Sequence, residues 1–212
     1  MVVEVNEKVA HYLGEPQPKL LRSRRKMLKF LKGAYVSGVP GMMTKPSTDL
    51  LAHSGGYSFH YGCPNPEMRD IASWVLTSGE GNIRRVAKLI PSLWKRHGQE
   101  DLVLVGLLLA NMSEEELGES PWMAFIHLFK KQEPLGALLE IGEELVRGGH
   151  EVPDNQWLIA MAGQSKLWHQ VAVLILSLRK EELCEIRGLV STAPAGGELF
   201  ERIRNRILSQ EN

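Results

Sequence analysis

Cysteine is scarce in this chain: Cys63 and Cys184 are the only two in 212 residues, and they lie far apart. That excludes a disulfide-stapled scaffold and a four-cysteine zinc site. Long apolar runs are missing too. The longest, residues 102–110, is far short of the ~20 residues that cross a bilayer, so no membrane association is expected. Near the N terminus stand Glu4 and Glu7 rather than a basic leader, so no signal peptide is expected and a cytoplasmic location is. No phosphate loop, dinucleotide fingerprint or serine elbow occurs, and Gly79-Glu80-Gly81 reads as a turn. His53, His60 and Cys63 lack a fourth ligand at zinc spacing, and Cys63 lacks a visible base to activate it. No metal or cofactor is therefore expected.

Net charge is absent as well, with 25 Lys and Arg against 25 Asp and Glu. A neutral total argues against general coating of nucleic acid, but it hides a division. Residues 1–112 hold 15 basic and 9 acidic side chains, and residues 113–212 hold 10 and 16. A basic half of this kind is able to dock on phosphates.

What is present is helical periodicity. Leu20, Leu21, Met27, Leu28 and Leu31 form one apolar face, with Arg22, Arg24, Arg25, Lys26, Lys29 and Lys32 between them. This predicts a basic amphipathic helix over 19–32, stopped at Gly33. Residues 33–56 are punctuated by glycine and proline and predict a long irregular loop, with at most a short helix over 49–53. Pro66 opens the next helix. Asn82 caps one running to residue 97, with Pro91 kinking it and Gly98 ending it. Residues 101–112 predict an almost wholly apolar, buried helix. Ser113 with Glu116 predicts a capping box. Further helices are expected over 121–130, 134–147, 155–162, 166–179, 181–189 and 198–209, with Gly148-Gly149 as a stop. The best strand candidate is 57–61.

Helices arriving in pairs, each unable to bury its own face, predict an all-α solenoid of stacked antiparallel pairs, HEAT- or armadillo-like. A basic N-terminal region, 1–56, would pack on a repeat domain, 57–212. A compact helical bundle is the rival architecture.

Three segments carry a family likeness. They are the run from Tyr57 through Cys63-Pro64 and Pro66 to Arg69, then Leu89-Ile90-Pro91-Ser92-Leu93-Trp94, and Ser165-Lys166-Leu167-Trp168-His169 with the apolar helix after it. In order and spacing the set resembles the HEAT-like DNA alkylation repair proteins, which include alkylpurine DNA glycosylases. It spans about residues 50–190. The resemblance implies a helical-repeat fold that holds duplex DNA. It also implies a carboxylate that stabilises positive charge on the sugar of a cationic, alkylated nucleotide. An ungapped match from Phe125 places the family's catalytic Asp at Glu140, its preceding Trp at Gly136 and its later Arg at Val171. The resemblance therefore speaks for the fold more than for base excision.

Glu140 is accordingly the catalytic candidate, although Glu143 and Glu144 beside it also read as a solvated acidic face. The DNA-binding candidates are Arg22, Arg24, Arg25 and Lys29, a second basic cluster of Arg84, Arg85 and Lys88, and Trp168 with His169. For Trp168 the alternative is packing between helices. The expected partners are double-stranded DNA, an acidic protein, or a second copy held by the oppositely charged halves. A non-catalytic scaffold for another protein is the second function class.

Overall fold

The computed structural model describes residues 2–41, 45–130, 133–179 and 186–209, and every regular element among them is helical. None of these helices is long and apolar enough to cross a membrane. The chain divides into two compact units, Met1–Leu128 and Phe129–Asn212. Residues 1–56 and 57–128 both fall in the first of these units.

The first unit begins with α1 (Val2–Leu13). A 3-10 turn at Leu20–Arg22 then leads into α2 (Arg24–Ser37). The expected basic helix is broken at Ser23, whose extended backbone and side chain cap α2 by accepting from the Lys26 N–H at 3.4 Å. Gly33 does not stop the helix. The Tyr12 ring lies where its Cβ would be, 1.9 Å from the Tyr12 hydroxyl oxygen, so Gly33 is a close-approach residue and α2 runs on to Ser37. The predicted loop over 33–56 is correspondingly short. Helix α3 (Lys45–Gly55) occupies its second half, while residues 42–44 lie outside the described part.

Helix α4 (Asn65–Ser78) opens with Pro66 in its first turn, as expected. Asn82 and Pro91 do not produce one kinked helix. Two form: α5 (Arg84–Ala87) and α6 (Ile90–Arg96), the latter with Pro91 in its first turn. The missing proline donor costs nothing there, because the first helical N–H groups have no partner within the helix. His97 closes α6 at φ 61°, a left-handed conformation unusual outside glycine. Gly98 caps the next helix rather than simply ending the last, and α7 (Gln99–Ala110) follows. Leu102, Leu104, Val105, Leu107, Leu108 and Leu109 are all buried, as its continuous apolar sequence requires. Each such side chain contributes roughly 1.5–3 kcal/mol relative to exposure. Helix α7 packs on both α4 and α6, and α1 packs on α2 and α4.

Ser113 and Glu116 form the expected box at α8 (Glu114–Leu117): the Ser113 N–H donates to Glu116 at 2.8 Å and the Glu116 N–H to Ser113 at 3.3 Å. Helix α9 (Pro121–Ile126) closes the unit.

The second unit holds α10 (Leu135–Arg147), α11 (Asn155–Ala162), α12 (Lys166–Leu176), α13 (Arg187–Ser191) and α14 (Glu198–Ser209). Helix α12 packs on α10, α11 and α14. Asp154 and Ser165 cap α11 and α12 through the Trp157 and Trp168 N–H groups at 2.8 and 3.2 Å. Of the helix expected over 181–189, residues 181–185, including Cys184, lie outside the described residues.

No strand forms over 57–61 among the described residues. That segment is an extended strap instead. Ser58 donates to the His97 carbonyl at 2.8 Å, and Gln99 donates to the Phe59 carbonyl at 2.9 Å.

Candidate nucleic-acid interface

The tertiary structure brings the two basic clusters together. Helix α5 packs against the Leu20–Arg22 turn, which in turn packs on α2. Arg22, Arg24 and Arg25 are exposed on one side of this contact, and Arg84 and Lys88 on the other, with Arg85 half-buried. The reason lies in α2 itself. Met27, Leu31, Ala34 and Tyr35 turn inward, so residues 25, 29 and 32, four and three apart, fall on the outer face. About sixty residues of sequence separate the two clusters, and packing of α1, α2 and α4 closes that gap.

The patch is bounded on its α8 side. Arg84 and Lys88 border an opening of about 500 Å³ whose other walls include Glu115, Glu116, Glu119 and His127, with Ile90, Leu109 and Leu117 among its apolar residues. His127 Nδ1 lies 2.8 Å from the Glu119 carboxylate. These acids change the electrostatic picture. The compact unit of residues 1–128 carries 15 basic and 13 acidic side chains, and residues 129–212 carry 10 and 12. The sharp basic and acidic halves of the sequence are nearly levelled in the folded units, so any attraction for phosphate is local to the patch.

Behind it lies a buried polar network that sequence reading missed. Asp101 is fully buried and accepts from Arg96 Nε at 2.6 Å, Arg96 Nη2 at 2.5 Å and the Tyr35 hydroxyl at 3.0 Å. Arg96 Nη1 also donates to the Leu28 carbonyl at 2.5 Å. Its guanidinium lies against the Tyr35 and Phe59 rings at 5.8 and 5.5 Å. Burial raises the Asp101 carboxyl above its ordinary range, and Arg96 and Tyr35 pull against that rise. Burial depresses the Arg96 guanidinium, but the Asp101 bonds outweigh it and leave it raised. The two directions agree physically, because Asp101 is wholly desolvated whereas Arg96 retains some exposure. Burial first, and Asp101 second, hold the Tyr35 hydroxyl protonated.

Next to Asp101, the fully buried Glu100 receives the N–H groups of Tyr61, Gly62 and Cys63 at 2.7, 2.8 and 3.4 Å. It thereby fixes the 57–64 strap. The sequence signal for this was a pair of acids opening an otherwise apolar helix, which solvated N-terminal acids also explain. Cys63 is a buried packing residue whose thiol is pushed up to about 12 by burial, then by Glu100 and Glu67. Such a thiol is a poor nucleophile. Among the described residues no group of three His, Cys, Asp or Glu is arranged to hold a metal ion.

The remaining candidates lie in the second unit. Glu140 is exposed on α10, and partial burial of its carboxyl, followed by Glu143 and Glu144, raises it. Gly136, one turn earlier, has only Leu199 nearby. Trp168 meets Phe129 edge-on with ring centres 6.2 Å apart, and His169 Nε2 lies 2.7 Å from the Leu189 carbonyl. Both are thus engaged by their own unit. Val171 is buried in the core. The structure therefore brings together Arg22, Arg24, Arg25, Arg84, Arg85 and Lys88, with Lys29 further along the outer face of α2. Glu140, Trp168 and His169 belong to the other unit. The chain matches no known family model, no curated protein and no solved structure.

Proposed function

We propose that this is a DNA-binding helical protein of HEAT-like build that grips the duplex backbone through the patch on α2, the Leu20–Arg22 turn and α5. The observation that carries the reading is the meeting of two basic clusters distant in sequence. Counterion release rewards such clustering, because each phosphate neutralised frees bound salt. The packing of α6 with α7, and of α11 with α12, supports paired helical repeats. The likeness to alkylation repair proteins supports DNA as the partner. Base excision would fall to Glu140, beside which stand the like charges of Glu143 and Glu144.

The test is fluorescence anisotropy of a labelled duplex of ~20 base pairs between 50 and 200 mM salt. Wild type binds with a steep salt dependence. Charge reversal at Arg84 and Arg85 weakens it and lowers the logarithmic salt slope by about two. Binding that does not respond to salt, or that survives the reversal, overturns the proposal. Release of alkylated purines is measured alongside for wild type and Glu140→Gln, and equal rates remove Glu140 from any catalytic role.

A further inference from the structure

The seam between α1 and α2 is an open apolar groove on a rigid base. Two openings of about 810 and 630 Å³ run along it and share Tyr12 and Ser37. From Lys26 to Ser37 the wall is twelve residues of helix, about 16 Å or three turns. Tyr12 is 39% exposed and Val36 is 50% exposed, large apolar surfaces to leave in water. Their positions are set from beneath. The Tyr12 ring rests on Gly33 and its hydroxyl donates to the Phe30 carbonyl at 3.2 Å. Phe30 stacks on Trp74 at 4.8 Å, and Trp74 Nε1 donates to the Gly14 carbonyl at 3.0 Å.

The groove has one sign of charge along most of its length. Lys26, Lys29 and Lys32 line the larger opening with no acid among the described residues of its lining, and Lys8 lies at the far end beside Glu7. Lysines placed so lay their stems on the apolar floor and hold their ammonium groups at the rim.

We propose that this seam receives an amphipathic helix of a partner protein, about three turns long, with an apolar ridge flanked by carboxylates. The groove length, the aliphatic floor of Leu20 and Val36 and the lysine rim each match one property of such a helix. Unpaired nucleotides fit less well, because Tyr12 is the one exposed Phe, Tyr or Trp in the described lining, whereas single strands stack on successive aromatic faces.

The probe is a fluorescein-labelled helix of ~18 residues with leucine at i, i+3, i+4 and i+7 and glutamate elsewhere, read by anisotropy. A counterpart has lysine in place of glutamate. The glutamate peptide saturates the protein and the lysine peptide does not. Val36→Asp, at an exposed site in the last turn of α2 where the thermal melt falls only slightly, weakens the complex at least about tenfold. Lys29→Glu with Lys32→Glu weakens it further as salt falls. Val36→Asp retains duplex affinity, whereas the Arg84 and Arg85 reversal retains peptide affinity, so this inference and the DNA reading fail separately. Equal binding of both peptides, no saturation by either, or wild-type affinity in Val36→Asp overturns the inference. So does loss of duplex binding in Val36→Asp, which gives the groove to nucleic acid. A dimer of the protein alone that Val36→Asp dissolves gives it to a second copy, with the same effect.

Discussion

Asp101→Ala tests the physical account of the first unit most directly. The carboxylate has no solvent exposure and receives three bonds, two from Arg96 and one from Tyr35. Its loss leaves a guanidinium pinned by Leu28 and two aromatic rings without a counter-charge, and a fully buried hydroxyl without an acceptor. Breaking a buried pair on one side costs about 3–5 kcal/mol. For a unit of this size that is a fall in Tm of about 10–15 °C, read by circular dichroism or scanning calorimetry. Tyr35→Phe removes only the hydroxyl and leaves Arg96 on both carboxylate oxygens, so it costs about 1–2 kcal/mol. The decisive variant is the double change Arg96→Met with Asp101→Leu. Both charges vanish together, and the desolvation that raises the Asp101 carboxyl vanishes with them. The double variant is therefore more stable than Asp101→Ala despite carrying one more substitution. A loss below about 1 kcal/mol in Asp101→Ala, or a double variant no better than the single, would refute the network as the polar centre of this unit.

Three further outcomes follow from particular contacts. In a Cys184→Ser background, Cys63 resists thiol reagents at pH 8 in the native state and reacts on unfolding, and native labelling at the unfolded rate would contradict its burial. The same thiol, raised from 9.0 to about 12, keeps its proton in the folded chain while the unfolded chain has already released it. Stability is therefore lost as pH rises between those values, and Cys63→Ala flattens that loss in urea titrations. Gly98→Ala places a methyl group 1.9 Å from the Phe59 ring and costs about 1–3 kcal/mol, whereas Gly188→Ala, in open space on α13, is neutral or slightly stabilising. Equal melting shifts for these two glycines would contradict the packing of Phe59.

The helices could be read from sequence where local chemistry decides. Residues 155–162 and 198–209 match α11 and α14, and the capping box at Ser113 and Glu116 forms as expected. Reading failed where a distant side chain decides. Gly33 looks like a stop until Tyr12, twenty-one residues earlier, is seen to occupy the space of its Cβ. Residues 57–61 look like a weak strand because their partners are not another strand but His97, Gln99 and Glu100. Arg96 and Asp101 lie five residues apart across a helix break, a spacing that no helical pairing rule flags. For the site, the basic residues were visible in sequence, but their meeting was not, since it depends on a short turn docking on a four-residue helix.

Charge shows the same difference between order in sequence and order in space. The split of the sequence at residue 112 suggested two oppositely charged bodies. Glu114, Glu115, Glu116 and Glu119 follow directly after that point, yet α8 folds beside α5, within the same unit as the basic clusters. Two bodies carrying nearly balanced charge have little long-range attraction, because exposed charges are screened beyond about 8–10 Å at ordinary ionic strength. Head-to-tail assembly driven by net charge alone therefore has weak support. Short-range features keep theirs. An arginine cluster touching a phosphate, or a lysine rim touching a carboxylate, acts within contact distance and does not depend on the balance of the whole unit. The acids Glu115, Glu116 and Glu119 line the same opening as Arg84 and Lys88, so under the proposed DNA reading they would oppose a phosphate seated there.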